Sequence, residues 1–347
     1  MVLPNKDMLL YFCTKRNNSF FVQDNFRGSR ISNMQSFEKY VSNKNMIRLG
    51  LCCNFSEEPI KFYTSTARYV SGLSPLKRTS KIMNLCLQNA QSLLSAIDYC
   101  SKNNIGSFRI NSRILPLKTH PDFGYDIKKL QQAKEIEGTF KLCARRAKAS
   151  GIRLTFHPDQ FVLLSSPHKE VTRKSIQELE YQAEVSEWVG ADVIIIHAGG
   201  AYGDKNAALK RLSCELKKLR KSVYKRLAIE NDDRVYTPND LLGFCKTNGV
   251  PFVYDVHHHR CLKDGLSVEH VTEAALKTWN REPLFHVSSP KFGWESARPN
   301  LHHDFINIQD FPECWRGLPI TVEVEAKAKE LAVKKLRSQL LSFRKGI

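Results

Sequence analysis

The sequence predicts an α/β fold: eight βα units closed into a (β/α)₈ barrel, with an N-terminal extension in front. Two observations predict it. Eight short apolar runs recur along the chain, and each of the last six ends in a His, Glu or Asp. The ligand-type residues lie 25–40 positions apart, room for a strand, a helix and two loops. Parallel strands need a crossover of about a dozen residues or more, usually helical. Catalytic groups of a TIM barrel come from the C-terminal ends of its strands, where these residues fall.

The first two runs are Ile47–Leu51 and Ile105–Ile110. Ile152–Phe156 then leads to His157, Val193–Ile196 to His197, Leu227–Ile229 to Glu230, and Phe252–Tyr254 to Asp255. Leu284-Phe285 precedes His286, and Ile320–Val324 precedes Glu325. Helical periodicity marks Lys81–Cys100, Val171–Val189 and Leu209–Leu227 between them. Any one of these polar residues, taken alone, reads equally well as a satisfied core histidine or a charged strand cap. Six in succession point to one mouth lined with ligands.

With 347 residues, 42% of them hydrophobic, the chain can bury a sizeable core. Residues 1–46 mix polar, aromatic and charged side chains and form the expected extension; residues 47–347 form the barrel domain. No apolar stretch approaches the roughly 20 residues of a membrane span, so no membrane partner is expected. Nor does the N-terminus carry a basic-then-apolar signal pattern. The ten cysteines include no CxxC pair, and without a secretory signal they read as reduced thiols of an intracellular protein. Cys52-Cys53 reads as packing, because no base is paired with it in the sequence.

A formal net charge of +18 points to a polyanionic partner, nucleic acid first. Lys217, Lys218, Arg220 and Lys221 read as a solvated helix face. More informative are cations just after strand ends: Arg109, Arg113, Lys118, Lys169, Lys205, Arg260, Lys291 and Arg298, expected to rim the mouth and grip phosphates.

His, Asp and Glu without cysteine favour Mn²⁺, Zn²⁺ or Fe²⁺. His157, His197 and Glu230 can complete one shell. Glu230, Asp255, His286 and Glu325 can complete a second, with Glu230 bridging, and His258 and His302 are left for a third. Two or three ions per chain are therefore expected. Paired ions are a familiar device for in-line phosphodiester cleavage. Glu230, Glu325 and His157 are the expected catalytic residues. In His257-His258-His259, strand alternation cannot aim all three rings inward, so at least one is structural or faces solvent.

The same residues carry a family resemblance. Phe156-His157-Pro158-Asp159-Gln160-Phe161 resembles the HPDQ[FY] motif of the UV damage endonucleases. His197-Ala198-Gly199-Gly200-Ala201-Tyr202-Gly203-Asp204-Lys205, Glu230-Asn231-Asp232-Asp233, Asp255-Val256-His257-His258-His259, His302-His303-Asp304-Phe305-Ile306 and Glu323-Val324-Glu325-Ala326-Lys327 are similar to its later motifs. Arg48-Leu49-Gly50 and Phe108-Arg109-Ile110-Asn111-Ser112 also fit, so the resemblance runs from about Ile47 to Lys335.

The resemblance implies a TIM barrel related to the endonuclease IV class. It implies Mn²⁺-supported hydrolysis of the phosphodiester immediately 5′ to an ultraviolet photoproduct in duplex DNA, leaving a 3′-hydroxyl and a 5′-phosphate. It matches His157, His197, Glu230, Asp255, His258, His286, His302 and Glu325 to metal ligands and places His120 near the metals or the DNA. Gln160 and Phe161 match a pair that wedges into the duplex at the lesion. An aromatic face can replace lost base stacking, and damaged bases cost less to extrude. Two departures stand out. Phe161 lacks the hydroxyl of the tyrosine often found there. Leu284 stands where members often carry a lysine that can be carboxylated, which puts that modification in doubt.

Three other readings compete. A metal-dependent sugar isomerase or epimerase barrel would leave the charge of +18 unexplained. An abasic-site endonuclease would lack photoproduct specificity. An inert DNA-binding module would have no use for eight ligands. A monomer is expected, since duplex DNA must reach the mouth.

Overall fold

The computed structural model describes residues 47–345, and the expected extension over residues 1–46 lies outside them. Eight parallel strands close in chain order: β1 (Arg48–Cys52), β2 (Ser107–Ile110), β3 (Arg153–Phe156), β4 (Val193–His197), β5 (Leu227–Glu230), β6 (Phe252–Asp255), β7 (Leu284–Val287) and β8 (Thr321–Val324). The seam is the β1–β8 pairing, with Gly50 beside Glu323. Every strand coincides with one of the eight apolar runs, within a residue or two at each end. The fold is the TIM barrel.

Ten helices flank or connect the strands among the described residues: α1 (Ala67–Ser71), α2 (Pro75–Lys102), α3 (Ala133–Ser150), α4 (Lys169–Val189), α5 (Lys205–Leu216), α6 (Lys221–Tyr224), α7 (Pro238–Asn248), α8 (Val256–Cys261), α9 (Val268–Leu276) and α10 (Lys329–Lys345). Local chemistry sets several boundaries. Asp204 accepts from Ala207 N–H to start α5, and a reciprocal Thr237–Asp240 capping box starts α7. The helix expected over Leu209–Leu227 is two pieces, because Leu227 already opens β5 and the chain turns at Lys217–Arg220 to reach it.

The connection from β7 to β8 carries two short 3₁₀ turns and no α-helix. Its sequence has Pro290, Gly293, Pro299, Pro312, Gly317 and Pro319, which no helix would tolerate at that density. The buried Trp315 covers the barrel there instead. It packs on Phe285 at 5.1 Å and Tyr254 at 5.8 Å, and donates its indole N–H to Thr272 Oγ1 at 2.8 Å.

Strand alternation sorts the core into two layers. Outward residues such as Phe108, Leu154, Ile194, Ile229, Tyr254, Phe285 and Val322 join the large cluster beneath the helices. Inside the barrel the two halves differ. On the β4–β7 side Val193, Ile195, Ala228, Val253 and Leu284 form a separate apolar cluster. The β8–β3 side holds polar groups: Arg48 pairs with Glu282 at 2.8 Å, Arg153 with Asp192 at 2.9 Å and Thr321 Oγ1 at 3.0 Å, and Thr155 with Glu323. Gly50 leaves room for that network, since a Cβ there would lie 3.1 Å from Glu323 Cγ. No described helix is long and apolar enough to cross a membrane.

Candidate metal centre

Each strand end delivers its side chain to the mouth because the residue one turn of the pleat below already faces the lumen. His197 follows Ile195, Asp255 follows Val253, and His286 follows Leu284, all on the inward face. The loop after His197 then needs glycine. Gly199 has φ +94°, and a Cβ there would sit 2.3 Å from Ser165 Oγ.

Glu230 is the hub. Its Oε2 lies 2.8 Å from His157 Nε2 and 3.7 Å from His197 Nε2. Its Oε1 lies 2.8 Å from His286 Nδ1 and 3.4 Å from His258 Nδ1. Beyond it, Asp255 Oδ2 is 3.6 Å from His258 Nδ1, Glu325 Oε1 is 3.5 Å from His286 Nδ1, and Glu325 Oε2 is 3.8 Å from His302 Nδ1. Three groups have their ligand atoms within 4.8 Å of one another: His157, His197 and Glu230; Glu230, Asp255 and His258; Asp255, His286 and Glu325. His258 thus groups with Glu230 and Asp255 rather than apart with His302.

The His257-His258-His259 run is not strand. Asp255 caps α8 by accepting His258 N–H at 2.8 Å, which swings His258 to within reach of the mouth. His259 is structural, held between Tyr254 Oη and Asp264 at 2.8 Å each. His257 is buried against Trp294 and His302 with neither ring nitrogen hydrogen-bonded.

The electrostatics fit a cation site. Burial alone would raise the Glu230 carboxyl, but the charges of His286 and His197 hold it well below the carboxylate range. Burial would likewise raise Glu325, and Arg109 with His286 hold it down. His286 is driven to about 10 because Glu230 overcomes the cost of burial, and His258 is raised by Asp255 and Glu230 in the same way. Burial lowers His197. Buried Asp255 Oδ2 and His197 Nδ1 have no hydrogen-bond partner, an uncompensated state that a bound cation or its water relieves. Anionic oxygens and imidazole nitrogens at this spacing suit divalent ions.

The residues expected to contact DNA separate into two groups. Phe161 stands on the loop after β3 with 73% of its surface exposed, beside exposed Gln160. That loop is pinned by the buried Val162 and Leu164 and by Asp159 Oδ1, which accepts Phe161 N–H at 3.2 Å. Lys205 reaches Asp240 at 2.8 Å, and Arg260 donates to the Asp310 carbonyl at 2.6 Å beneath Trp294. His120 stacks on Phe123 and accepts the amides of Asp122 and Phe123, engaged within its own loop rather than with the ligands. Arg109, expected on the rim, is only 6% exposed. It lies in the lumen, where it pairs with Glu323 and with Glu325 at 2.6 Å.

The reading from sequence missed Glu323, which is fully buried against Arg109, Thr155 and His286. The signal was available: it stands on β8 two residues before Glu325, which follows the strand's end, and alternation turns both to the lumen side.

The sequence pattern of the UV-endonuclease UvdE family matches residues 47–346. The UV DNA damage endonuclease of Bacillus velezensis is 33% identical over 306 residues, covering 84% of this chain and 92% of that protein. The crystal structure of SacUVDE superimposes with a TM-score of 0.78 at 28% identity, covering 86% of this chain and all of that one. Endonuclease IV from Thermus thermophilus superimposes with a TM-score of 0.55 at 12% identity, a likeness of fold alone.

Proposed function

The chain belongs to the UV-endonuclease UvdE family, and on that premise we propose that this DNA repair endonuclease hydrolyses the phosphodiester immediately 5′ to ultraviolet photoproducts in duplex DNA, using two or three divalent ions, Mn²⁺ first among them. The observation that carries the reading is Glu230, whose two oxygens face separate histidine pairs and so can serve two cations at once.

His157, His197 and Glu230 would hold one ion, Glu230, Asp255 and His258 a second, and Asp255, His286 and Glu325 a third, with His302 beside Glu325. When bound, such ions lower the pKa of water and stabilise charge on the attacking and leaving oxygens. The chain's own contribution is placement. Glu230 fixes four imidazoles around one carboxylate. Arg109 holds Glu325 in line from below. Exposed Phe161 and Gln160 supply an aromatic face and an amide at the lip, fitted to fill a gap in the base stack, while Lys205, Arg113 and Arg260 offer positive charge to the backbone. Selectivity then rests on how easily the duplex deforms at the lesion. The protein acts as a monomer, inside the cell, where its DNA substrate is.

The deciding assay incubates purified protein and Mn²⁺ with duplexes bearing a pyrimidine dimer, a 6-4 photoproduct, an abasic site or no lesion. Nicking 5′ to the photoproducts, with 3′-hydroxyl ends, is expected. Cleavage confined to the abasic duplex would replace this reading with a plain abasic-site endonuclease.

A further inference from the structure

Among the described residues seven large hydrophobic side chains stand exposed, and three of them occupy the same place in the barrel. Phe161, Tyr202 and Phe292 each lie five residues past a strand end, after β3, β4 and β7. Phe161 has a role in the reading above; Phe292, 64% exposed, has none. In a closed ring of eight strands β3 and β7 are four apart, so their loops rise from opposite walls of the mouth.

Phe292 is carried by a hairpin with little freedom. Pro290 bridges His302 in antiparallel fashion, Lys291 N–H donates to the Leu301 carbonyl at 2.6 Å, and His303 N–H donates to the Ser289 carbonyl at 2.8 Å. Trp294 turns inward, donating its indole N–H to Asp310 Oδ1 at 2.8 Å and packing its ring 5.1 Å from His257. Asn300 ties the returning limb to Asp233 at 2.9 Å. One aromatic of the hairpin is thus spent on packing, and the other is held out in water. Lys291 Nζ lies 5.2 Å from the Phe292 ring centroid. A single exposed phenylalanine is ordinary on a protein surface. A rigidly presented ring with an ammonium at its face, on the rim of a basic protein's mouth, matches a surface where apolar base faces alternate with phosphates.

We propose that Phe292 is a second wedge: its ring enters the duplex from the wall opposite Phe161, while Lys291 beside it takes a phosphate. The inference rests on the DNA substrate proposed above. Apolar side chains pushed between base steps unstack them and kink the duplex. Two such rings acting from opposite walls bend the duplex across the mouth and press the cut strand toward the ligands between them.

The test uses Mn²⁺-loaded protein and a duplex bearing a pyrimidine dimer, its scissile linkage replaced by a methylene phosphonate that keeps the charge and is not hydrolysed. Affinity is read by fluorescence anisotropy across a salt series, and bending by energy transfer between dyes at the duplex ends. Phe292→Ala should weaken binding about 5-fold or more, the low end of the stacking scale, and reduce bending at an unchanged log–log salt slope. Lys291→Ala should make the slope shallower by about 0.9. Phe292→Tyr should behave as wild type, and Leu142→Ala, a truncation of an exposed residue on the outer helix α3, should change nothing. Wild-type affinity and bending in Phe292→Ala overturn the proposal. So does a shallower slope in that variant, which would make the ring a mere support for Lys291. A wild-type protein whose binding to this duplex ignores salt refutes DNA as the substrate, an outcome distinct from a Phe292→Ala protein that binds as wild type with full salt dependence.

Discussion

Loading the metal centre should expel protons. In the metal-free protein His286 holds its proton up to about 10, because Glu230 at 2.8 Å outweighs the cost of burying a charged ring. His258 is raised by Asp255 and Glu230. A ligating imidazole must be neutral, so filling the site near neutral pH should release about two protons per chain, one from each ring. Titration calorimetry with Mn²⁺ in buffers of different ionisation enthalpy reads that number as a slope. The same charge pair has a stability consequence in the metal-free protein. A folded pKa raised above the unfolded value of about 6.5 contributes stability that is complete below that pH and is lost as pH rises through the folded value. The gap between about 6.5 and about 10 corresponds to roughly 5 kcal/mol. Metal-free protein should therefore lose stability between about pH 6.5 and 10, while the loaded protein does not. Glu230→Gln removes the charge that chiefly raises His286, burial then prevails at that ring, and proton release should fall toward the one proton that Asp255 still holds on His258, while plasmid nicking collapses and the fold remains. A slope near zero in the wild type would show that these rings are neutral before metal arrives, and the reasoning would fail.

Phe161→Ala should cost about 1–3 kcal/mol of lesion binding by anisotropy at unchanged metal content. His157→Ala should do the reverse, losing metal and cleavage, and Phe161→Tyr should behave as wild type; full lesion preference in Phe161→Ala would move the wedge elsewhere. Affinity for a damaged duplex should fall with salt at a log–log slope of about −0.9 per phosphate contact, and a flat titration would favour a small neutral substrate. Gly50→Ala places a methyl 3.1 Å from Glu323 Cγ and 3.2 Å from Ser107 Cβ, so it should destabilise the barrel by about 1–3 kcal/mol, seen as a lower thermal midpoint.

The strands and their order were legible because a barrel repeats one pattern eight times, and six of the candidate ligands follow their apolar runs directly. Arg109 was harder. A cation after a strand reads as rim, yet Phe108 and Ile110 on either side both face the helices, which turns Arg109 into the lumen. Glu323 lay hidden for the same reason: attention to strand ends passes over the inward residue one step below. The grouping of His258 with Asp255 depended on a cap hydrogen bond that starts a short helix after the strand, and alternation alone cannot foresee it. The helix missing between β7 and β8 was signalled by proline and glycine density. That Trp315 would cover the gap was not, because that contact joins segments distant in sequence.

The ring of strands closes only when β8 finds β1, and this orders events during synthesis. His157 is made early and Glu325 168 residues later. At the usual elongation rate of about 5–20 residues per second, the two are separated by roughly 8–34 seconds. Throughout that interval the unfinished chain has histidines but no closed mouth, and Arg109 still lacks both Glu323 and Glu325. The candidate ligands come together only once β8 has been made and has docked against β1.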